Sequence, residues 1–373
     1  MSGLARRQSP EYVQMSLAAA MVLGLRPGRF MRDGRTRCLN LLLTYDAGCA
    51  ANCAYCGLAR DRQGSSFIRV EWPSVPMAEV IERSKGRPLE RMCISMITHR
   101  RAQRDTEALL TSWKREDALR EVPVSILSNP STMSREDLVA LRELGAERFT
   151  VALDAVTPEL FDSTRGRGVL SPNRWERYWQ VYEEAVEVFG RGAVGVHLIC
   201  GLGETEGQMV ETMFRARALG EYGCLQLFAF NPEDGSRLGD RQRVPLGQFR
   251  RVQLARYLID AGLVRDGDLD TDDRGRIVDF GLDQAELDRL IDTGLPFRTS
   301  GCPGRECEVS ACNRPFGDGP PTDFSSFPFP LDRWDVDNVR VQLRDYEGAI
   351  RREDLAARTL AEIERASALP CRS

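Results

Sequence analysis

Residues 39–57 read LNLLLTYDAGCAANCAYCG, an apolar run that ends in a loop carrying Cys49, Cys53 and Cys56. A short apolar run closed by turn residues such as Asp46 and Gly48 has the pattern of a buried strand. Similar runs recur at 91–97, 123–127, 148–153, 193–199 and 225–230. Amphipathic stretches separate them, among them 134–144, 175–189 and 206–219. The first of these opens on Ser134 with Asp137 three residues on, a helix N-cap signal. Strands alternating with helices imply βαβ units and a parallel sheet. Six such units point to an α/β fold, a partial TIM-type (βα)6 barrel over residues 37–262. The cysteine loop then follows its first strand, at the barrel mouth.

Outward from this core, residues 1–36 form a lead-in. Its alanine-rich stretch 15–25 predicts an amphipathic helix. Acidic Glu11 before it, and Arg26-Pro27-Gly28 after it, do not fit a secretory signal. Helices are expected at 246–261 and 283–293, and a short strand at 276–280. Residues 263–373 form a C-terminal extension that is rich in Cys, Gly and Pro from 297 to 330, with a last helix over 344–366.

The 373 residues are 42% hydrophobic and 28% charged, enough to bury a sizeable core. A net charge of −4 gives no electrostatic reason to expect nucleic acid or an anionic membrane as partner. No run of about 18 apolar residues suggests a membrane span. With no export signal, the expected compartment is the cytoplasm, where thiols stay reduced. The 11 cysteines are then a sign of metal or redox chemistry. Cys38, Cys93, Cys200, Cys224 and Cys371 are scattered and read as inert buried thiols.

Three thiolates on one loop can hold three irons of a cubane cluster and leave the fourth iron open. The alternative is zinc, which in structural sites takes four ligands in paired spacings. No fourth Cys or His lies near Cys49, Cys53 and Cys56. A second group, Cys302, Cys307 and Cys312, has the spacing CxxxxCxxxxC in a Gly/Pro-rich segment. It suits a second, auxiliary iron–sulfur cluster; structural zinc with a ligand from elsewhere is the alternative. Ser300, Arg298 and Arg314 are neighbouring candidates for a fourth ligand.

The spacing CxxxCxxC, with Tyr55 before the last cysteine, resembles the radical S-adenosylmethionine (SAM) superfamily. That resemblance implies a [4Fe–4S] cluster on Cys49, Cys53 and Cys56, with SAM on its open iron, and generation of a 5′-deoxyadenosyl radical. The stretch HLICGLGE at 197–204 is similar to an Ile-x-Gly-x-x-Glu element of the family. The likeness implies that Ile199, Gly201 and Glu204 lie near the SAM adenine. A tight turn into the next helix is the other reading. It also implies cofactor-binding roles for Tyr55 and Asp154, the latter toward ribose hydroxyls or the methionyl part of SAM. Arg165 is a candidate to grip a carboxylate; for Asp154 and Arg165 a surface loop charge is the alternative. His99, Ser128, Asn129 and the stretch 227–236 stand at other strand ends. For His99 a satisfied structural role is the competing reading.

The whole chain resembles the biotin and lipoyl synthase branch, and within it the small-subunit type of the two-protein lipoyl synthases. The likeness covers 16–30, the core, and Cys312-Asn313-Arg314-Pro315; the wide CxxxxCxxxxC spacing departs from that subunit's tighter pattern. It implies sulfur insertion at C–H positions of an octanoyl chain on a carrier domain, or of a small-molecule substrate. Cys302, Cys307 and Cys312 are then catalytic as well as metal-binding. A paralogous radical SAM partner and an electron donor such as ferredoxin or flavodoxin are implied too. Two rivals remain: a radical SAM oxidase, including natural-product enzymes, whose auxiliary cluster carries electrons or anchors substrate, and a non-enzymatic zinc- or cluster-binding module.

Overall fold

The computed structural model describes residues 7–32, 34–62, 69–221, 224–304, 312–315, 319–320, 322 and 325–368. Its centre is an eight-stranded sheet. In chain order the strands are β1 (Tyr12–Met15), β2 (Cys38–Leu43), β3 (Ser74–Pro76), β4 (Arg91–Ser95), β5 (Val124–Ser128), β6 (Arg148–Asp154), β7 (Val194–Cys200) and β8 (Leu225–Ala229). Their order across the sheet is β3-β1-β2-β4-β5-β6-β7-β8. The six from β2 through β4 to β8 are parallel neighbours, and they coincide with the six apolar runs of the sequence. Helices cross between them, among them Ala102–Arg115, Arg135–Glu143, Trp175–Phe189 and Glu206–Gly220.

Alternation within the strands explains the shape. Leu39, Leu41 and Leu43 of β2 point one way, under the helices, while Cys38, Asn40 and Leu42 point the other. All six are buried, as in strands covered on both faces. Asn40, Cys93, Leu127, Ala152, His197 and Gln226, one from each parallel strand, line a single cavity of about 280 Å³. A sheet whose strands all face one cavity is curled, which agrees with the expected partial barrel. Apolar branched residues usually fill a barrel interior. Here polar and thiol side chains take inward places, and an open cavity results.

Local signals held at several boundaries. Ser134 Oγ accepts from the Asp137 amide and Asp137 Oδ2 from the Ser134 amide at 2.8 Å, a reciprocal cap of the helix Arg135–Glu143. The helices expected at 246–261 and 283–293 run Leu246–Asp260 and Gln284–Asp292, and the short strand is Ile277–Asp279.

Two expectations need correction. The stretch 15–25 is not one helix: β1 ends at Met15, and a six-residue helix, Leu17–Val22, follows the Ser16 cap. β1 pairs antiparallel with β2 and with β3, so partner strands, not local periodicity, decide its state. The last helix, expected over 344–366, begins only at Arg352 and runs to Ala368, and a separate helix, Arg333–Leu343, precedes it. Between them the Asp345 carboxylate accepts from the amides of Glu347, Ala349 and Ile350, and Gly348 turns left-handed at φ 70°. An acceptor offered by a side chain to local amides competes with the helix. No helix among the described residues is long and apolar enough to cross a membrane.

Candidate metal and cofactor site

The loop after β2 carries Cys49, Cys53 and Cys56, and all three line the cavity. Backbone and side-chain bonds brace it from several sides. The Ala50 amide donates to Thr98 O at 2.7 Å and the Ala54 amide to Thr164 O at 2.7 Å. Asn52 is buried inside the loop, where its Nδ2 donates to Asp61 Oδ2 at 2.7 Å and Val169 O at 2.8 Å. The three thiols are therefore fixed by the scaffold. The Leu58 amide donates to Cys56 Sγ at 3.3 Å and Asn173 Nδ2 to Cys53 Sγ at 3.7 Å. Burial pushes the Cys53 thiol up to about 11 and also raises Cys49 and Cys56. Without a bound cation such thiols stay protonated; coordination to a metal ion deprotonates them outright.

Behind the loop sits a buried polar network. Tyr55 OH donates to Asp154 Oδ2 at 2.5 Å and accepts from Arg165 Nη1 at 3.1 Å. The Arg165 guanidinium pairs with the same carboxylate and donates to Ala152 O at 2.6 Å and Tyr178 OH at 2.9 Å. His197 Nδ1 lies 2.5 Å from Asp154 Oδ1. Burial acts to raise the Asp154 carboxyl, but Arg165 and His197 outweigh it and hold it below its ordinary value. Asp154 itself has φ 62°, a left-handed conformation that Asp tolerates better than most residues. Tyr55, Asp154, Arg165 and His197 all reach the cavity wall. Arg165 does meet a carboxylate, but it is the chain's own. The tie of His197 to Asp154 joins two strands, and its sequence signal is the place of His197 two residues before Ile199 on an inward strand face.

The GLG stretch divides. Ile199 lines the cavity. Gly201, at φ 108°, packs where a Cβ would lie 2.5 Å from Val244 Cβ. Glu204 turns back on the loop, accepting from the Gly201 amide at 2.5 Å and the Gly203 amide at 3.0 Å. It holds the end of β7 in shape. Burial raises its carboxyl, and those amides oppose the rise.

Among the remaining rim candidates, His99 stacks on Tyr45 with ring centres 3.8 Å apart and accepts from the Arg101 amide, a structural role. Ser128 donates to Thr150 O at 3.1 Å. Asn129 reaches the cavity, as do Phe228, Phe230, Asn231 and Glu233 of the stretch 227–236.

The second thiol group is assembled differently. Cys307 lies outside the described residues. Cys302 and Cys312 are buried at the opposite end of the barrel, near the N-terminal ends of the strands. Three cysteines that looked scattered meet them there. Cys224 Sγ is 3.3 Å from Cys302 Sγ. Cys312 packs with Cys224 and Cys302, and Cys93 packs on Cys38. Cys93 and Cys312 also line the cavity that the first loop lines. Ser300 is not at the sulfurs: its Oγ accepts from the Leu227 amide at 2.9 Å. Arg314 lies over the rings of Trp72 and Phe228 on the cavity wall.

No curated protein sequence matches the chain. Among solved structures, methylornithine synthase (PylB) is 15% identical over 65% of this chain and 66% of that one, with a TM-score of 0.48. HydG, a maturase of the [FeFe]-hydrogenase, is 12% identical over 65% of this chain and 53% of its own, TM-score 0.48. The radical S-adenosylmethionine methyltransferase TsrM from Kitasatospora setae is 15% identical over 55% of this chain and 39% of its own, TM-score 0.39. The chain thus spans less than two thirds of the length of each of these. The family model of the radical SAM superfamily matches residues 45–216, from the end of β2 through the helix that follows β7. The part of the chain that carries Cys49, Cys53 and Cys56 is therefore a radical SAM superfamily domain.

Proposed function

We propose that this chain is a lipoyl synthase-like radical SAM enzyme. In this reading it adds sulfur, drawn from an auxiliary iron–sulfur cluster, to C–H positions of a protein-bound octanoyl chain. The observation that carries the reading is that one cavity is lined by both thiol groups, Cys49, Cys53 and Cys56 at the mouth and Cys312 at the floor. A sulfur donor has to face the same space in which the substrate is activated.

The radical SAM domain implies a [4Fe–4S] cluster and SAM. Cys49, Cys53 and Cys56 fit the cluster: they share one braced loop and receive N–H donors at two of their sulfurs, as cluster thiolates do. When bound, cluster and SAM supply a radical able to remove hydrogen from an unactivated carbon. The chain's own residues do the rest. Asn52 fixes the loop, and Arg165, Asp154 and Tyr55 hold the wall behind it. Leu42, Met96, Ile97, Leu127 and Phe228 give the cavity apolar sides that suit an aliphatic chain and exclude water. Ile199, Gly201 and Glu204 shape the end of β7 for the adenine. An electron donor such as ferredoxin or flavodoxin and a paralogous partner for the second sulfur addition complete the reading, with a cytoplasmic location.

The test is product analysis by mass spectrometry on anaerobically reconstituted protein given SAM, reductant and an octanoyl-lysine peptide. A thiolated octanoyl product is expected. Full 5′-deoxyadenosine production without it, clusters intact, overturns the lipoyl reading. Counting sulfide before and after one turnover separates a donor from an electron relay or substrate anchor, since only a donor loses sulfide.

A further inference from the structure

We propose that thiols of the barrel wall, Cys224 and Cys38, are ligands of the second iron–sulfur centre, with Cys224 paired to Cys302 and Cys38 paired to Cys312. This rests on the reading above that a second centre exists, and names what holds it.

Distance is the first argument. Two thiolates on one tetrahedral metal ion, with bonds of about 2.3 Å, stand about 3.8 Å apart. Cys224 and Cys302 have sulfurs 3.3 Å apart, so a small opening brings both onto one iron. Cys38 stands beside the segment of Cys312: Thr36 Oγ1 donates to Asn313 O at 3.2 Å, and Asn313 Nδ2 to Arg35 O at 3.0 Å. No three of these side chains are arranged around a single ion. A [2Fe–2S] centre takes its ligands as one pair of thiolates on each iron, whereas a lone zinc ion needs four converging.

Space is the second. Gly195 on β7 stands beside this group with no positive φ to explain it. A Cβ there would lie 2.7 Å from Cys224 Sγ and 3.0 Å from Thr150 Oγ1. The glycine clears room at the sulfurs.

Polarity is the third. Gln226 Nε2 points at Cys302 Sγ, 3.6 Å, and Cys312 Sγ, 4.0 Å. Ser125 Oγ donates to Cys302 Sγ at 3.5 Å, and Asn40 Nδ2 to Cys38 Sγ at 3.6 Å. Gln226, Ser125 and Asn40 are all buried. Buried amides and hydroxyls need good acceptors, and a neutral thiol is a weak one. A metal-bound thiolate is a strong one, and such outer donors tune it. Inert packing of five cysteines would call for apolar neighbours instead.

The experiment uses the full chain, reconstituted anaerobically with iron and sulfide. Iron and sulfide per chain and the Mössbauer spectrum are measured for wild type and for Cys302→Ala, Cys224→Ala and Cys38→Ala. Expected is loss of the second centre's iron in both wall variants, to the level of Cys302→Ala, with the iron of the first loop retained. If an alanine variant does not fold by circular dichroism, Cys224→Ser keeps the shape, and an oxygen ligand should shift the second centre's spectrum. Wall variants that keep wild-type iron and spectrum, while Cys302→Ala loses its share, overturn this inference and leave the second centre standing. A wild type that binds only the first loop's iron overturns both.

Discussion

The two thiol groups of this barrel are built on opposite plans. At the mouth, Cys49, Cys53 and Cys56 come from one loop of eight residues' span, and the fold only has to brace it. At the floor, the sulfurs come from β2, β4, the residue before β8 and the C-terminal segment, 78 residues separating the close pair Cys224 and Cys302. A local site survives as long as its loop is held. A floor site depends on the register of several strands at once. The difference teaches where each is vulnerable.

The largest effect is expected at the mouth. Cys53→Ala should abolish the first cluster and reduce 5′-deoxyadenosine, measured by chromatography after reduction with SAM, to background. Retention of that product would break the assignment of the loop. Next comes the brace. Arg165→Met takes the guanidinium from the buried Asp154 carboxylate, leaving it only His197 and Tyr55, and should lower stability by about 3 kcal/mol in urea unfolding. A change below 1 kcal/mol would mean that the network merely decorates the wall. Smaller again is the floor: Gly195→Ala drives a methyl against Cys224 and should cost about 1–3 kcal/mol by overpacking. It should also lower the iron of the proposed second centre while sparing the first, which sharpens the contrast between the two.

The smallest effect is in pH. The Asp154 carboxyl is held below its ordinary value in the folded chain. A depressed folded value means that its stabilising contribution is complete above the unfolded value, about 4, and is lost as pH falls through the folded one. Asp154→Asn should therefore unfold in acid with a shallower pH slope below about pH 4 than wild type. Identical slopes would remove Asp154 from the acid response.

Sequence reading found what is local. Six parallel strands fell on six apolar runs because a strand covered on both faces needs apolar residues almost throughout. The Ser134 cap was visible because both partners lie within one turn. What failed was non-local. β1 exists only because β2 and β3 lie beside it. The late start of the last helix is a local exception, in which the Asp345 carboxylate gathers three amides within the next five residues. Cys38, Cys93 and Cys224 read as inert since nothing in their neighbourhoods joins them. A signal was present: Cys38 and Asn40, Cys93 and Ser95, Cys224 and Gln226 each sit two apart within or beside an apolar strand, on one face. Polar and thiol residues at that period mark an interior that is not simply packed.

Closure of the barrel floor has a consequence for biogenesis. Cys224 is made before Cys302 and Cys312, and the segment that bears them crosses the strand ends only after the helices beyond β8 have emerged. During synthesis the wall thiols are therefore made without their C-terminal partners, an interval that ends only when Cys302 and Cys312 join them. Whatever the floor is to hold must be delivered in that interval or be passed down the cavity from the mouth.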